Sequence, residues 1–161
     1  MAKPAHAQSF KPEQLRTSFL HHIVHYATYP QGQMGNDRIG FCFYEGPEKT
    51  HFSIFQSLPA KKLKDRNTVA VEIENISDID TQKCQLLFVS RQVESSELFL
   101  KLQDWNKRMV SVGETRDFVE RGGLITIVPL QSKMKIFLSR KQYENSDLKF
   151  SSLLLKRVNF R

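Results

Sequence analysis

His21, His22 and His25 are the one cluster of imidazoles in the chain. His21 and His25 stand one helical turn apart, a spacing at which two imidazoles can share a metal ion. No Glu follows His21 in the zincin pattern, and spacing offers no third ligand. An imidazole pair of this kind could also sense pH; the plainer reading is two exposed helix residues. Cys42 and Cys84 are the only cysteines. They permit one disulfide or two buried thiols, and no four-cysteine zinc site. Cys42 sits within the apolar run Arg38 to Tyr44, away from any cationic neighbour, and is a poor nucleophile there. The segment Glu45-Gly46-Pro47-Glu48 follows that run. It lacks the dinucleotide and Walker glycine patterns, and its two glutamates oppose a phosphate. No Gly-x-Ser-x-Gly elbow is present. Gly122-Gly123 is either a backbone site approached by a ligand or a tight turn feeding a strand, and the turn is the simpler reading. The residues therefore nominate no catalytic set, no cofactor-binding residues and no metal ligands. They describe a domain that binds.

The elements that position these residues follow from periodicity. Residues 12–28 read as a helix opened by Pro12 and Glu13. On a wheel, Leu15, Phe19, Leu20, Ile23, Val24, Tyr26 and Ala27 fill one half. Thr17, Ser18, His21, His25 and Thr28 fill the other, which places the histidine pair opposite the apolar stripe. Residues 38–44 and 85–90 are nearly continuous apolar runs, the pattern of strands buried on both faces. Residues 67–74 and 133–139 alternate, which suits edge strands. Short strands are also expected at 109–112 and 124–128, and helices near 48–57, 94–105, 115–121, 140–148 and 151–158. Helix and strand alternate to about residue 128, so the early strands should be parallel with right-handed crossovers. The short link at 129–132 makes the last two an antiparallel hairpin. The expected fold class is α/β, a mostly parallel open sheet with helices on both faces. Its six strands, in chain order, should lie 2-1-3-4-5-6, with the last antiparallel. A ligand site would lie at the switch point, beyond the carboxyl ends of the first and third strands.

The chain has 161 residues, 40% apolar and 25% charged, with twelve Phe. Those values suit one aromatic-rich core, and residues 12–161 are expected to form a single domain behind an N-terminal tail, residues 1–11. Ala5-His6-Ala7 matches the small-x-small pattern before a signal-peptidase cut, without the apolar stretch that should precede it. The net charge of +7 admits an acidic partner or an anionic membrane surface. Lys61, Lys62, Lys64 and Arg66 read as a solvated loop, and no nucleic-acid-binding pattern is present. No apolar stretch is long enough to span a membrane.

Taken in order, several segments resemble the YfiR-like (HmsC-like) family. The opening helix carries Phe19, Leu20, Tyr26 and then Tyr29-Pro30, with Tyr29 where the family usually has Trp. Ile39-Gly40-Phe41-Cys42 and Cys84-Gln85-Leu86-Leu87-Phe88-Val89 match its two cysteine-bearing strands. Val110-Ser111-Val112-Gly113, Phe118 and Gly122-Gly123-Leu124-Ile125 match its valine-rich strand, Phe and Gly-Gly segment. Ser151-Ser152-Leu153-Leu154-Leu155 matches its Ser-Ser-x-Leu-Leu end. The resemblance spans about residues 12–158. It implies a non-enzymatic periplasmic regulator, dimeric in the family, without cofactor. Such a regulator binds and restrains the sensor domain of a membrane-bound diguanylate cyclase, lowering cyclic di-GMP and biofilm output. A ligand-binding receptor of the same fold, reporting to a sensor kinase or cyclase, is the alternative. The resemblance also favours a Cys42–Cys84 bridge, for which the parallel register of the two strands would have to be staggered. Two features depart from the family. A second disulfide of its best-studied branch, near the Gly-Gly segment, has no cysteines here, and Ser139 stands where the family has Asn.

Overall fold

The computed structural model describes residues 11–35 and 37–161. The signal-like Ala5-His6-Ala7 and all of the N-terminal tail except Lys11 lie outside these residues. In chain order the elements are α1 (Pro12–His25), β1 (Ala27–Thr28), β2 (Arg38–Tyr44), α2 (Thr50–Ser57), β3 (Lys62–Leu63), β4 (Arg66–Ile73) and β5 (Leu86–Val89). There follow α3 (Ser96–Trp105), β6 (Val110–Gly113), α4 (Arg116–Arg121), β7 (Ile125–Leu130), β8 (Lys133–Leu138), α5 (Arg140–Glu144), β9 (Lys149–Phe150), α6 (Ser152–Leu155) and β10 (Val158–Phe160).

Eight strands form one sheet in the order β10-β8-β7-β6-β5-β2-β4-β3. Its middle six follow the expected order, with β4, β2, β5, β6 and β7 parallel and β8 antiparallel. Alternation along the strands builds two cores. Phe41, Phe43, Leu86, Phe88, Val110 and Val112 face Leu20, Ile23 and Val24 of α1 and Phe55 of α2. Cys42, Leu87 and Val89 face Leu98, Phe99 and Leu102 of α3 and Phe118 of α4. Helices thus cover both faces, which is why β5 carries no polar residue.

Both expected edges are extended. β3 pairs antiparallel with β4, inside the segment read as a basic loop. β10 pairs parallel with β8, joining Val158, Asn159 and Phe160 to Ile136, Phe137 and Leu138. The expected helix 151–158 therefore ends at Leu155. The β-branched and aromatic tail gains more by covering the edge of β8 than by continuing a helix. The expected helices 12–28 and 140–148 also stop early, at His25 and Glu144, because Ala27–Thr28 and Lys149–Phe150 pair with each other as an antiparallel ribbon.

Cys42 and Cys84 form a disulfide, with Cα atoms 5.7 Å apart. In register Cys42 lies beside Leu87, so Cys84 cannot reach it within the sheet. Cys84 arrives over the sheet face instead. Gly40 shares the Cys42 face, and a Cβ there would overlap the Lys83 carbonyl. The missing side chain lets residues 83–84 cross close above β2. The Gln85 amide donates to Gly40 O at 2.9 Å, and the Gln85 side-chain carbonyl accepts from Gly40 N at 2.6 Å. The stagger required of the bridge is thus supplied by a backbone crossing.

The bridge spans a sequence separation of 42 residues. Loop-closure entropy for that length predicts that Cys42→Ala with Cys84→Ala lowers unfolding free energy by about 4 kcal/mol. Urea unfolding of oxidised wild type and the double variant measures it.

Candidate functional site

The switch point lies between β2 and β5, and a cleft of about 290 Å³ opens over their carboxyl ends. Glu45, Glu48, Thr50, His51, Ser90, Arg91 and Glu114 line it. Glu45 leaves the end of β2 and turns under the N-terminus of α2. Its Oε1 accepts from the His51 amide at 3.0 Å, and its Oε2 accepts from the Phe52 amide at 2.9 Å. A helix N-terminus at this place is where an anion would ordinarily bind. Here the chain fills it with its own carboxylate.

His51 extends the arrangement inward. Its Nδ1 lies 2.8 Å from Glu45 Oε1, and its Nε2 lies 3.1 Å from Arg16 Nη1. Arginine only donates, so Nε2 accepts and the ring proton sits on Nδ1, donated to Glu45. The imidazole lies 4.1 Å from the Phe88 ring. Arg16 comes from α1, donates Nε–H to Ile127 O at 2.7 Å, and meets Glu114 Oε1 at 3.5 Å. Glu114 follows β6 and accepts from the Arg91 amide at 2.8 Å. Glu45, His51 and Arg16 are each no more than 4% exposed. Burial lowers the Arg16 pKa from its ordinary value, and Glu114 opposes that shift.

The chain Glu45–His51–Arg16–Glu114 orients groups rather than activating them. Both His51 nitrogens are engaged, so it offers no free base to a substrate. The nearby Ser90 hydroxyl donates to the Glu45 backbone carbonyl at 3.1 Å and not to the imidazole. The network ties α1, α2, β2 and β6 together beneath the cleft. Sequence reading located the switch point and missed this set. The available signal was Glu45, which directly follows a buried strand and stands six residues before His51.

The histidine cluster is not where the wheel placed it. His21 is buried, edge-on to Phe41 at 5.1 Å and to Phe55 at 4.8 Å, while His22 and His25 are exposed. His21 and His25 are therefore not a pair of exposed imidazoles. Leu15, assigned to the apolar half, is 47% exposed. The buried face of α1 is Arg16, Thr17, Leu20, His21, Ile23 and Val24, rotated from the apolar stripe towards Thr17 and His21, with His21 seated against Phe41 and Phe55. No group of three or more metal-ligating side chains occurs among the described residues.

Comparison with known proteins places the chain in a family. The family model described as DUF4154, YfiR/HmsC-like, matches residues 13–157. The chain belongs to the YfiR/HmsC-like family. That family comprises periplasmic, non-enzymatic regulators of cyclic di-GMP signalling, and the Cys42–Cys84 bridge fits an oxidising compartment. No curated protein matches. Among solved structures, the chain is similar to an ABC domain in complex with L-Trp from Streptococcus pneumonia, with TM-score 0.54 and 12% identity. That match covers 92% of this chain and 60% of the solved one, so the chain spans less than two thirds of it and the likeness is one of fold.

The YfiR/HmsC-like motif positions divide into packing roles. Tyr29 donates its hydroxyl to Gln85 O at 2.8 Å, and burial pushes that hydroxyl above its usual pKa. Tyr29 thus pins the exit of α1 to the start of β5, and Pro30 accepts from the Gln33 amide at 3.1 Å. Phe118 is fully buried. A Cβ at Gly113 or Gly123 would overlap its ring, so the aromatic lies directly on two stretches of backbone. Gly122 has φ +129° and ends α4, and the Gly123 amide returns to Phe118 O at 2.8 Å. The Gly-Gly pair is accordingly a helix stop and an aromatic seat. Leu154 is fully buried and Ser152 is exposed. The Asn106 side chain links Gly122 O at 2.7 Å to the Ser111 hydroxyl at 2.6 Å, a buried bridge from α3 to β6.

Two measurements test this part of the structure. Glu45→Ala strands the His51 ring N–H and two helix amides, and should lower unfolding free energy by about 2–4 kcal/mol in denaturant titration. Burial depresses the His21 pKa from 6.5 to about 4. The unfolded chain therefore binds a proton that the folded chain refuses, and stability should decline as pH falls from about 6.5 towards about 4. His21→Leu should flatten that slope when Tm is followed against pH.

Proposed function

We propose that this chain restrains a membrane-bound diguanylate cyclase by binding the cyclase's periplasmic sensor domain. Membership of the YfiR/HmsC-like family across residues 13–157 is the observation that carries this reading. The switch-point geometry agrees with it. The helix N-terminus available for a phosphate is filled by Glu45, and His51 is held between Glu45 and Arg16. The chain acts by contact in this reading, as a single domain over residues 12–161, paired as a homodimer, and its output is a lower level of cyclic di-GMP and less biofilm. Ala5-His6-Ala7 is then the end of an export signal.

A second reading has a specific observation in its favour. The cleft over β2 and β5 has the place and the converging polar groups of a ligand site in an open α/β sheet. A ligand seated there would alter affinity for the partner, and the two readings then describe one device.

The test is co-expression of the exported chain with the membrane cyclase encoded nearest its gene. Cyclic di-GMP should fall, and purified chain should bind the cyclase's periplasmic domain in calorimetry. Unchanged cyclic di-GMP with the chain present in the periplasm, together with no heat of binding, would defeat the proposal.

A further inference from the structure

The strands at one side of the sheet have a one-sided charge balance. Residues 122–139 and 156–161 contain Lys133, Lys135, Lys156, Arg157 and Arg161 and no Asp or Glu, in a chain of net charge +7. Register sorts these cations. Lys135 lies beside Val128, Lys133 beside Leu130, and Asn159 beside Phe137. Alternation then puts Lys133, Lys135, Phe137, Asn159 and Arg161 on one face. It is the face on which α4 sits, because Phe137 packs with Val119 and Val128.

Two guanidiniums converge there. Arg116, from the first turn of α4, and Arg161, beyond β10, each lie 4.7 Å from the centroid of Phe137. An aromatic ring orients a guanidinium without neutralising it. Arg116, Lys133, Lys135 and Arg161 are all exposed. None of the four makes an ion pair among the described residues, although Asp117 and Glu120 lie on α4 itself. Elsewhere Lys49 pairs with Glu72 and Glu74, Arg91 with Glu114, Arg121 with Glu94, and Arg140 with Glu144, while Lys61, Lys62 and Lys101 are, like these four, unpaired among the described residues. What sets the four apart is their gathering on one face whose strands carry no acid. Leu130 is 42% exposed at the hairpin end, beside Lys133.

We propose that this face, Arg116, Lys133, Lys135 and Arg161 with Leu130 at its rim, is a contact surface for an anionic phospholipid bilayer. Oriented unpaired cations spread over a sheet face match a plane of phosphate headgroups. A single exposed apolar side chain at the end of the hairpin suits shallow insertion at the headgroup boundary. Such contact would concentrate the chain on the membrane. It does not depend on the regulatory reading, and its failure would leave that reading standing.

Sedimentation with vesicles tests it. The full chain should bind vesicles of phosphatidylglycerol mixed with phosphatidylcholine and not vesicles of phosphatidylcholine alone. Raising NaCl from about 0.05 M to about 0.5 M should release it. Removing three charges in Arg116→Gln, Lys135→Gln, Arg161→Gln should weaken binding at least about ten-fold. Lys61→Gln, Lys62→Gln, Lys101→Gln removes as much charge elsewhere and should bind nearly as wild type. Lys133→Gln with Lys135→Gln alters only exposed strand positions and should show a partial loss, which keeps the test independent of any folding defect in the triple variant. No binding of wild type to the anionic vesicles at low salt would overturn the proposal and leave an acidic protein surface as the occupant to seek. Equal loss in the two triple variants would overturn it too, by tracing attraction to net charge alone.

Discussion

The passage of residues 83–84 over Gly40 fixes where the rest of the molecule can lie. It is a backbone-on-backbone contact, too close for any side chain at Gly40. Three bonds secure it: the Cys42–Cys84 bridge and the two hydrogen bonds between Gly40 and Gln85. Tyr29 adds a third hydrogen bond from outside by donating to Gln85 O. Together they set the β2–β5 register from its first residue. That register brings the end of β2, with Glu45, beside the end of β5, with Ser90 and Arg91. The cleft at the switch point is a consequence of a contact made at the opposite end of the same two strands.

The two faces of the sheet are closed by different means. On the α1 side, polar groups are buried and pair with one another: Arg16 with Ile127 O, His51 and Glu114, and His51 with Glu45. Such a network stabilises only when every member is satisfied, which makes it a strong constraint on the angle of α1. On the α3 and α4 side, closure is by shape. Phe118 lies on Gly113 and Gly123, and Asn106 bridges the Gly122 carbonyl and Ser111. The family motif of Phe followed by Gly-Gly is read here as packing.

Much of the sheet was legible in the sequence because burial on both faces writes itself as an unbroken apolar run. Arg38 to Tyr44 and Leu86 to Val89 are such runs, and their separation by one alternating strand gave the order of the middle six. The buried face of α1 was not legible. Arg16 is charged and His21 falls on the polar half of the wheel, so neither reads as a core residue. Their burial depends on Ile127, 111 residues away, and on Phe41 and Phe55, none of which a local window contains. The last strand was hidden for the same reason. Val158–Phe160 has the composition of a strand, but a run of leucines precedes it, and the edge it covers lies on β8. The switch-point site was found by topology and missed in its residues, since Glu45 and His51 gain their roles only once α2 is set above β2.

The disulfide has one more consequence, which concerns connectivity. The bridge joins β2 to the segment that leads into β5, so α2, β3 and β4 all lie within the covalent loop between Cys42 and Cys84. The exposed lysines Lys61, Lys62 and Lys64 lie in that loop as well. A protease that severs the chain there opens the backbone without parting it. Both pieces stay fastened at the middle of the sheet, and their separation requires a reductant as well as a cut.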